Sequence, residues 1–118
     1  MKVIGLLGGI GSGKSTIAQQ LMELGAHKID ADKVGHEILS DEDVRHAVKN
    51  RWGEFVFDEN GWIDRARLAK MVFGNAEDES SSLADLEAIT HPRIRAEIQR
   101  RLQVLRDARA EVVILDAP

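Results

Sequence analysis

Apolar positions along the chain fall into short unbroken runs near its two ends and into helically spaced stripes between them. Val3–Leu7, interrupted at Gly5 and ending in glycines, has the near-continuous apolar character of a buried parallel strand. From about Lys14 the spacing changes. Ile17, Leu21 and Leu24 recur as on one face of a helix, and Gly25 stops it. His27–Ile29 predicts a second, brief strand, and Asp30-Ala31-Asp32 leads into another helix carrying Val34, Ile38 and Leu39. Glu111–Asp116 (EVVILD) returns to the buried-strand pattern.

Between these ends, residues 40–107 read as helical. Ser40 with Asp43 has the form of a capping box, followed by Val44, Ala47, Val48 and Trp52 at helical spacing. Asn60-Gly61 signals a tight turn. Asp64 is placed to cap a helix containing Leu68, Met71 and Val72, which Gly74 closes. Glu77–Ser82 reads as a polar connector. Helical spacing resumes through Leu83, Leu86 and Ile89, and again through Ile94, Ile98, Leu102 and Leu105. Pro92 disfavours helix at His91 and suits the first turn of a new one, so a break is expected there. Trp52, Phe55, Phe57, Trp62 and Phe73 are expected to form the core of this helical region rather than a base-stacking platform.

Composition narrows the classes. The 118 residues suffice for one domain, and 43% hydrophobic with 31% charged residues fits a globular chain rather than a disordered one. A net charge of −4 speaks against non-specific nucleic-acid binding, so any anionic ligand must be met by local features. The absence of cysteine excludes disulfides, thiolate metal sites and cysteine nucleophiles. The N-terminal apolar run is too short for a signal-peptide core or a membrane span, which makes cytoplasmic residence the expectation.

Gly8-Gly9-Ile10-Gly11-Ser12-Gly13-Lys14-Ser15 fits G-x-x-x-x-G-K-[ST] at every fixed position, between a predicted strand and a predicted helix. Glycines let the backbone wrap closely and turn its N–H groups toward phosphate oxygens, and the helix N-terminus adds its positive dipole end. Lys14 can reach the β- and γ-phosphates, and the Ser15 hydroxyl can ligate Mg²⁺. Thr16 completes the candidate nucleotide-binding stretch. The alternative, a flexible Gly/Ser turn with an exposed lysine, lacks the flanking context. The expected fold is therefore an α/β, three-layer P-loop NTPase-type parallel sheet. A mostly helical insertion, to which the resemblance described below assigns acceptor binding, spans about 40–107 of a 1–118 core that is expected to be cut short at its C-terminus.

A P-loop alone leaves GTPases, ATPases and small-molecule kinases open. Asp30 and Asp32 follow the second strand at the carboxyl edge of the sheet, where open α/β folds bind ligands. A carboxylate there can orient an acceptor hydroxyl and accept its proton, whereas one of the pair is expected merely to cap the next helix.

With these residues in view, Ile4-Gly5-Leu6 running into GGIGSGKST, then LGAHKIDADKVGHEIL, resembles the start of dephospho-CoA kinase. Gly61-Trp62-Ile63-Asp64-Arg65, Val72-Phe73, Ile89-Thr90-His91-Pro92 and VVILDAP extend the resemblance over essentially the whole chain. That family transfers the γ-phosphoryl group of ATP to the ribose 3′-hydroxyl of dephospho-CoA. The resemblance implies Asp32 as catalytic base, Lys14 as phosphate residue, and Ser15 with Asp116 at Mg²⁺. It also implies Asp32, His36, Arg65, His91 and Arg93 toward the acceptor. Leu7 departs from the family's threonine. The family also continues past Pro118 into PLLFE-like residues, an arginine-bearing lid and more sheet. Without these, the 118-residue chain is expected to be inactive or to associate through the unpaired edge of its first strand.

Other features have plainer readings. His27, His36, His46 and His91 lack zinc-ligand spacing. Residues 93–109 carry six arginines opposite an apolar stripe, a solvated helix face on which Arg93 and Arg95 are the candidates for the CoA diphosphate. Two rivals to the kinase reading are another small-molecule kinase and a non-catalytic nucleotide-binding fragment.

Overall fold

A computed structural model describes residues 1–7, 13–74 and 78–117. The chain divides into two compact units, Met1–Gly35 with Ile94–Pro118, and His36–Arg93.

The first unit is built on strands β1 (Lys2–Leu7), β2 (His27–Asp30) and β3 (Val112–Ala117), all parallel, in the order β1-β3-β2. Among the described residues only β3 pairs on both sides, and its sequence explains why: Val-Val-Ile-Leu is apolar at every position, as burial on both sheet faces requires. Val113 and Ile114 have no exposed surface at all. Among the described residues β1 pairs on one side only, and Val3 and Leu7 are exposed.

Helix α1 (Lys14–Glu23) follows β1 and ends as Gly25 anticipates. Gly25 takes φ 101°, its N–H donates to Met22 O, and Ala26 N–H donates to Leu21 O, closing the last carbonyls of the helix. Helix α2 (Ala31–Glu37) begins directly after β2 and buries Val34.

The second unit contains the short 3₁₀ turn Ile38–Ser40, α3 (Glu42–Trp52), a second 3₁₀ turn (Glu54–Val56) and α4 (Arg65–Phe73). Helix α5 (Glu79–Asp107) starts in this unit and runs on into the first. Asp64 caps α4 as expected, its carboxylate accepting the Arg67 N–H, and Gly74 closes that helix. The Asn60-Gly61 turn is also found: Gly61 has φ 83°, and Asp58 Oδ1 accepts the N–H groups of Asn60 and Trp62.

Four expectations are corrected. The residue before α3 is Asp41, not Ser40, and no side-chain bond caps that helix; Ser40 is taken up in the preceding 3₁₀ turn. Residues 79–82 are already helical, and Ser82 is almost wholly buried, held by Asp78 and Arg51. The polar run misled because an Arg51 guanidinium, also bonded to Asp85, satisfies its buried groups.

Third, Pro92 breaks nothing: α5 is continuous through it. Leu86, Thr90, Ile94, Ile98, Leu102 and Leu105 keep one half-buried stripe in phase across the proline. Tertiary burial of that stripe outweighs one lost backbone bond. Fourth, the aromatics are not the core. Trp52 is buried, but Phe55, Trp62 and Phe73 are about half exposed or more, and Val44, Val48, Val56, Leu68 and Val72 fill the interior. Trp62 and Phe55 instead lie under the guanidinium groups of Arg45 and Arg67.

Because the proline lies inside a helix, Pro92→Ala should stabilise the protein by roughly 1–3 kcal/mol in urea unfolding. An unchanged or lowered midpoint would mean that the proline opens a new helix.

Candidate nucleotide-phosphate site

The three strands end level at one edge of the sheet. Their register sets Leu7 beside Ala117 and Asp30 beside Asp116. This carboxyl edge is where open parallel sheets receive ligands, because the loops leaving the strands surround it. Gly8, Gly9, Ile10, Gly11 and Ser12 lie outside the described residues, so the site is built here from Gly13 onward.

Gly13 precedes α1 with φ 80° and ψ −2°, a left-handed conformation that glycine adopts without the Cβ clash other residues meet. It offers no side chain to cap the helix, and the first turn of α1 contains no acidic residue. The positive end of the helix dipole therefore meets no carboxylate from its own first turn, which suits it to an external anion. Lys14 opens α1, Ser15 is its second residue, and Thr16 is exposed.

Lys14 Nζ stands 2.7 Å from Asp116 Oδ1 and donates to Ala117 O at 3.2 Å. A second ammonium, Lys28 Nζ, stands 3.4 Å from Asp116 Oδ2. One carboxylate is thus shared by two lysines, a cluster of net charge +1. The Lys14 and Asp116 side chains are only 18% and 14% exposed, so their attraction is screened less than that of a surface pair. The Lys14 ammonium beside it holds the Asp116 carboxyl below the usual aspartate range; burial opposes this and Lys28 adds to it.

The two aspartates after β2 divide their roles. Asp30 Oδ1 accepts the N–H groups of Asp32 at 3.0 Å and Lys33 at 3.2 Å, and so caps α2. Asp32 is exposed in the first turn of α2, and among the described residues its carboxylate has no hydrogen-bond or ion-pair partner.

The remaining candidates belong to the second unit. His36 lies in the last turn of α2, Arg65 opens α4, and His91 and Arg93 lie on α5; all four are exposed. The Arg93 guanidinium donates to the Asp41 carboxylate. Arg95 is exposed farther along α5. An open cleft of about 450 Å³ in this unit has Glu42, Arg45, His46, Lys49, Glu54, Asp58 and Glu59 on its walls, with Lys49 Nζ 3.1 Å from Glu54 Oε1 and His46 Nε2 3.8 Å from Glu42 Oε1. The glycine-rich motif and the Lys14–Asp116 pair belong to the first unit, not to this cleft.

Lys28 is the residue that sequence reading missed. The available signal was its spacing: Lys28 and Asp30 lie two apart on one strand and so share a face of the sheet.

Among the described residues, no helix is long and apolar enough to cross a membrane, and no group of three or more His, Asp or Glu could by itself hold a metal ion.

A parallel sheet whose first strand runs into G-x-x-x-x-G-K-S, with that lysine paired to an aspartate of the central strand, defines the P-loop class of α/β proteins. Within that class, a family model described as dephospho-CoA kinase matches residues 2–118. The chain belongs to the dephospho-CoA kinase family. It is 40% identical over 119 aligned positions to dephospho-CoA kinase of Carboxydothermus hydrogenoformans, taking in 100% of this chain and 56% of that one. The same enzyme of Moorella thermoacetica is 42% identical, again over 100% of this chain and 55% of its own length.

Solved structures agree. The crystal structure of TT1252 from Thermus thermophilus matches with a TM-score of 0.75 at 34% identity, over 98% of this chain and 55% of that one. Dephospho-CoA kinase from Campylobacter jejuni matches with a TM-score of 0.72 at 29% identity, over 98% and 57%. The chain spans about half the length of the curated relatives it matches.

Asp116 gives a pH test. Its folded pKa is depressed, so its pairing stabilises the fold above the unfolded value of about 3.9 and is lost as pH falls through the folded value. Glu97, drawn down to about 2 by hydrogen bonds from Arg100 and Arg101, acts in the same direction. Unfolding free energy should fall as pH drops below about 4, and Asp116→Asn should make that fall shallower. Equal slopes in urea titrations of the two proteins would remove the Lys14–Asp116 pair from the account.

Proposed function

We propose that this chain holds the triphosphate of ATP at residues 8–16 and directs its γ-phosphoryl group to the ribose 3′-hydroxyl of dephospho-CoA, giving coenzyme A. The observation that carries the reading is the division between the two aspartates. Asp30 is consumed as a helix cap, whereas Asp32, just past the same strand end, keeps a carboxylate with no partner among the described residues.

Phosphoryl transfer asks little covalent help from a protein; positioning and charge stabilisation do most of the work. Lys14 would turn from Asp116 to the β- and γ-phosphates, joined by the N–H groups of the glycine-rich loop and of the first turn of α1. Asp32 would orient the acceptor hydroxyl and accept its proton. His36, Arg65, His91 and Arg93 would seat the acceptor, with Arg93 exchanging Asp41 for a phosphate of the CoA moiety.

Magnesium fits the donor set. This ion uses one or two protein oxygens and fills its remaining positions with phosphate oxygens and water, so it needs no all-protein cage. Ser15 and Asp116 would hold it, and when bound it would neutralise charge on the terminal phosphates. A cytoplasmic setting belongs to the same proposal.

Calorimetric titration with ATP tests the phosphate site: Lys14→Met should weaken binding at least about tenfold. ADP release in the full translated product tests the acceptor. Dephospho-CoA should stimulate release where nucleosides and sugars do not, and an equal response to all acceptors would defeat the reading. There, Asp32→Asn should lower kcat by roughly 10²-fold or more with ATP affinity within a few-fold. A kcat near that of wild type would remove Asp32 as the base.

A further inference from the structure

Lys28 is a cation in a short strand whose neighbour Ile29 is buried, and neither the capping of α2 nor the phosphate motif explains it. It approaches Asp116 Oδ2, the oxygen that Lys14 leaves open. The two lysines come from opposite sides of the central strand: Lys14 from the helix after β1, Lys28 from β2 itself.

That arrangement bears on what happens when an anion arrives. To serve a phosphate, Lys14 must leave or share Asp116. Were Lys14 its one partner, its departure would strand a carboxylate only 14% exposed beside an incoming polyanion, with loss of the ion pair and like-charge repulsion together. A second ammonium that stays in place removes both penalties.

We infer that Lys28 is a positioning residue that keeps Asp116 neutralised while Lys14 turns to the phosphates, and so sets the protein's affinity for polyphosphate. The inference rests on the reading of residues 8–16 as the nucleotide-phosphate site and deepens it. Because Lys28 acts through charge, its influence grows with the number of phosphates and is absent for an uncharged nucleoside. It requires a cation at position 28 but no particular cation, since its task is to balance one carboxylate.

The test is calorimetric titration of the purified protein with ATP, ADP and adenosine, in magnesium-free buffer so that the metal does not mask Asp116. Lys28→Met should weaken ATP binding roughly five- to tenfold, ADP less, and adenosine not at all. Lys28→Arg should restore ATP affinity to within about twofold, because the charge is kept. In an Asp116→Asn background the effect of Lys28→Met should shrink to less than about half, since no carboxylate remains to be balanced.

Equal losses for ATP and adenosine, no rescue by arginine, or an undiminished effect in the Asp116→Asn background would each overturn the proposal. Circular dichroism checks the fold of every variant, and Lys28→Gln serves if Lys28→Met does not fold. If the wild-type protein fails to bind ATP, the phosphate-site reading falls and takes this one with it. If it binds ATP and Lys28→Met binds equally well, only the role of Lys28 falls.

Discussion

The site depends on β3 entering the sheet between β1 and β2. A parallel strand cannot be added by a tight hairpin; it needs a long crossover, and here the chain runs through all of residues 31–111 before β3 pairs with both neighbours. Such pairing is non-local, and loop-closure entropy opposes it until both ladders form. What offsets that cost is the apolar content of the strand, with Val113 and Ile114 withdrawn fully from water. The insertion also delivers Asp116 to the sheet edge beside the start of α1. Without β3 there is no central strand, and Lys14 has no carboxylate partner.

At that edge, charge rather than shape organises the residues. Asp116 sits between two ammonium groups, the first turn of α1 carries no carboxylate of its own, and Asp30 caps α2 while Asp32 has no partner among the described residues. These features are mutually consistent: cationic groups stand where phosphate is expected, and one uncommitted carboxylate follows the end of β2. Asp30 and Asp32 are chemically identical and two residues apart. Their different bonding follows from one being the last residue of a strand, where its side chain can fold back on the next turn of backbone.

Membership of the dephospho-CoA kinase family gives these contacts a setting. The stretch matched in the relatives is their N-terminal part, and it contains the glycine-rich loop, both post-strand aspartates and the central strand. The second unit is held by a different chemistry, aliphatic packing of valines with arginines laid over exposed aromatic rings and the Arg51 network around buried Ser82.

What the sequence determined by itself was whatever depends on neighbours along the chain: the alternation of strand and helix, the Asp64 cap, the Gly25 and Gly74 stops, and the Asn60-Gly61 turn. Each is a local hydrogen-bond or dihedral requirement met by residues within a few positions, so a linear reading suffices. Tertiary structure decided the rest. It carried α5 through Pro92, because burial of an in-phase stripe outweighs one missing N–H, and it exposed Phe55, Trp62 and Phe73 while valines took the interior. It also joined Lys28 to Asp116, two residues far apart in sequence whose meeting exists only once β3 has paired beside β2. Electrostatic attraction acts through space, and no local pattern along a chain records which distant carboxylate a lysine will meet.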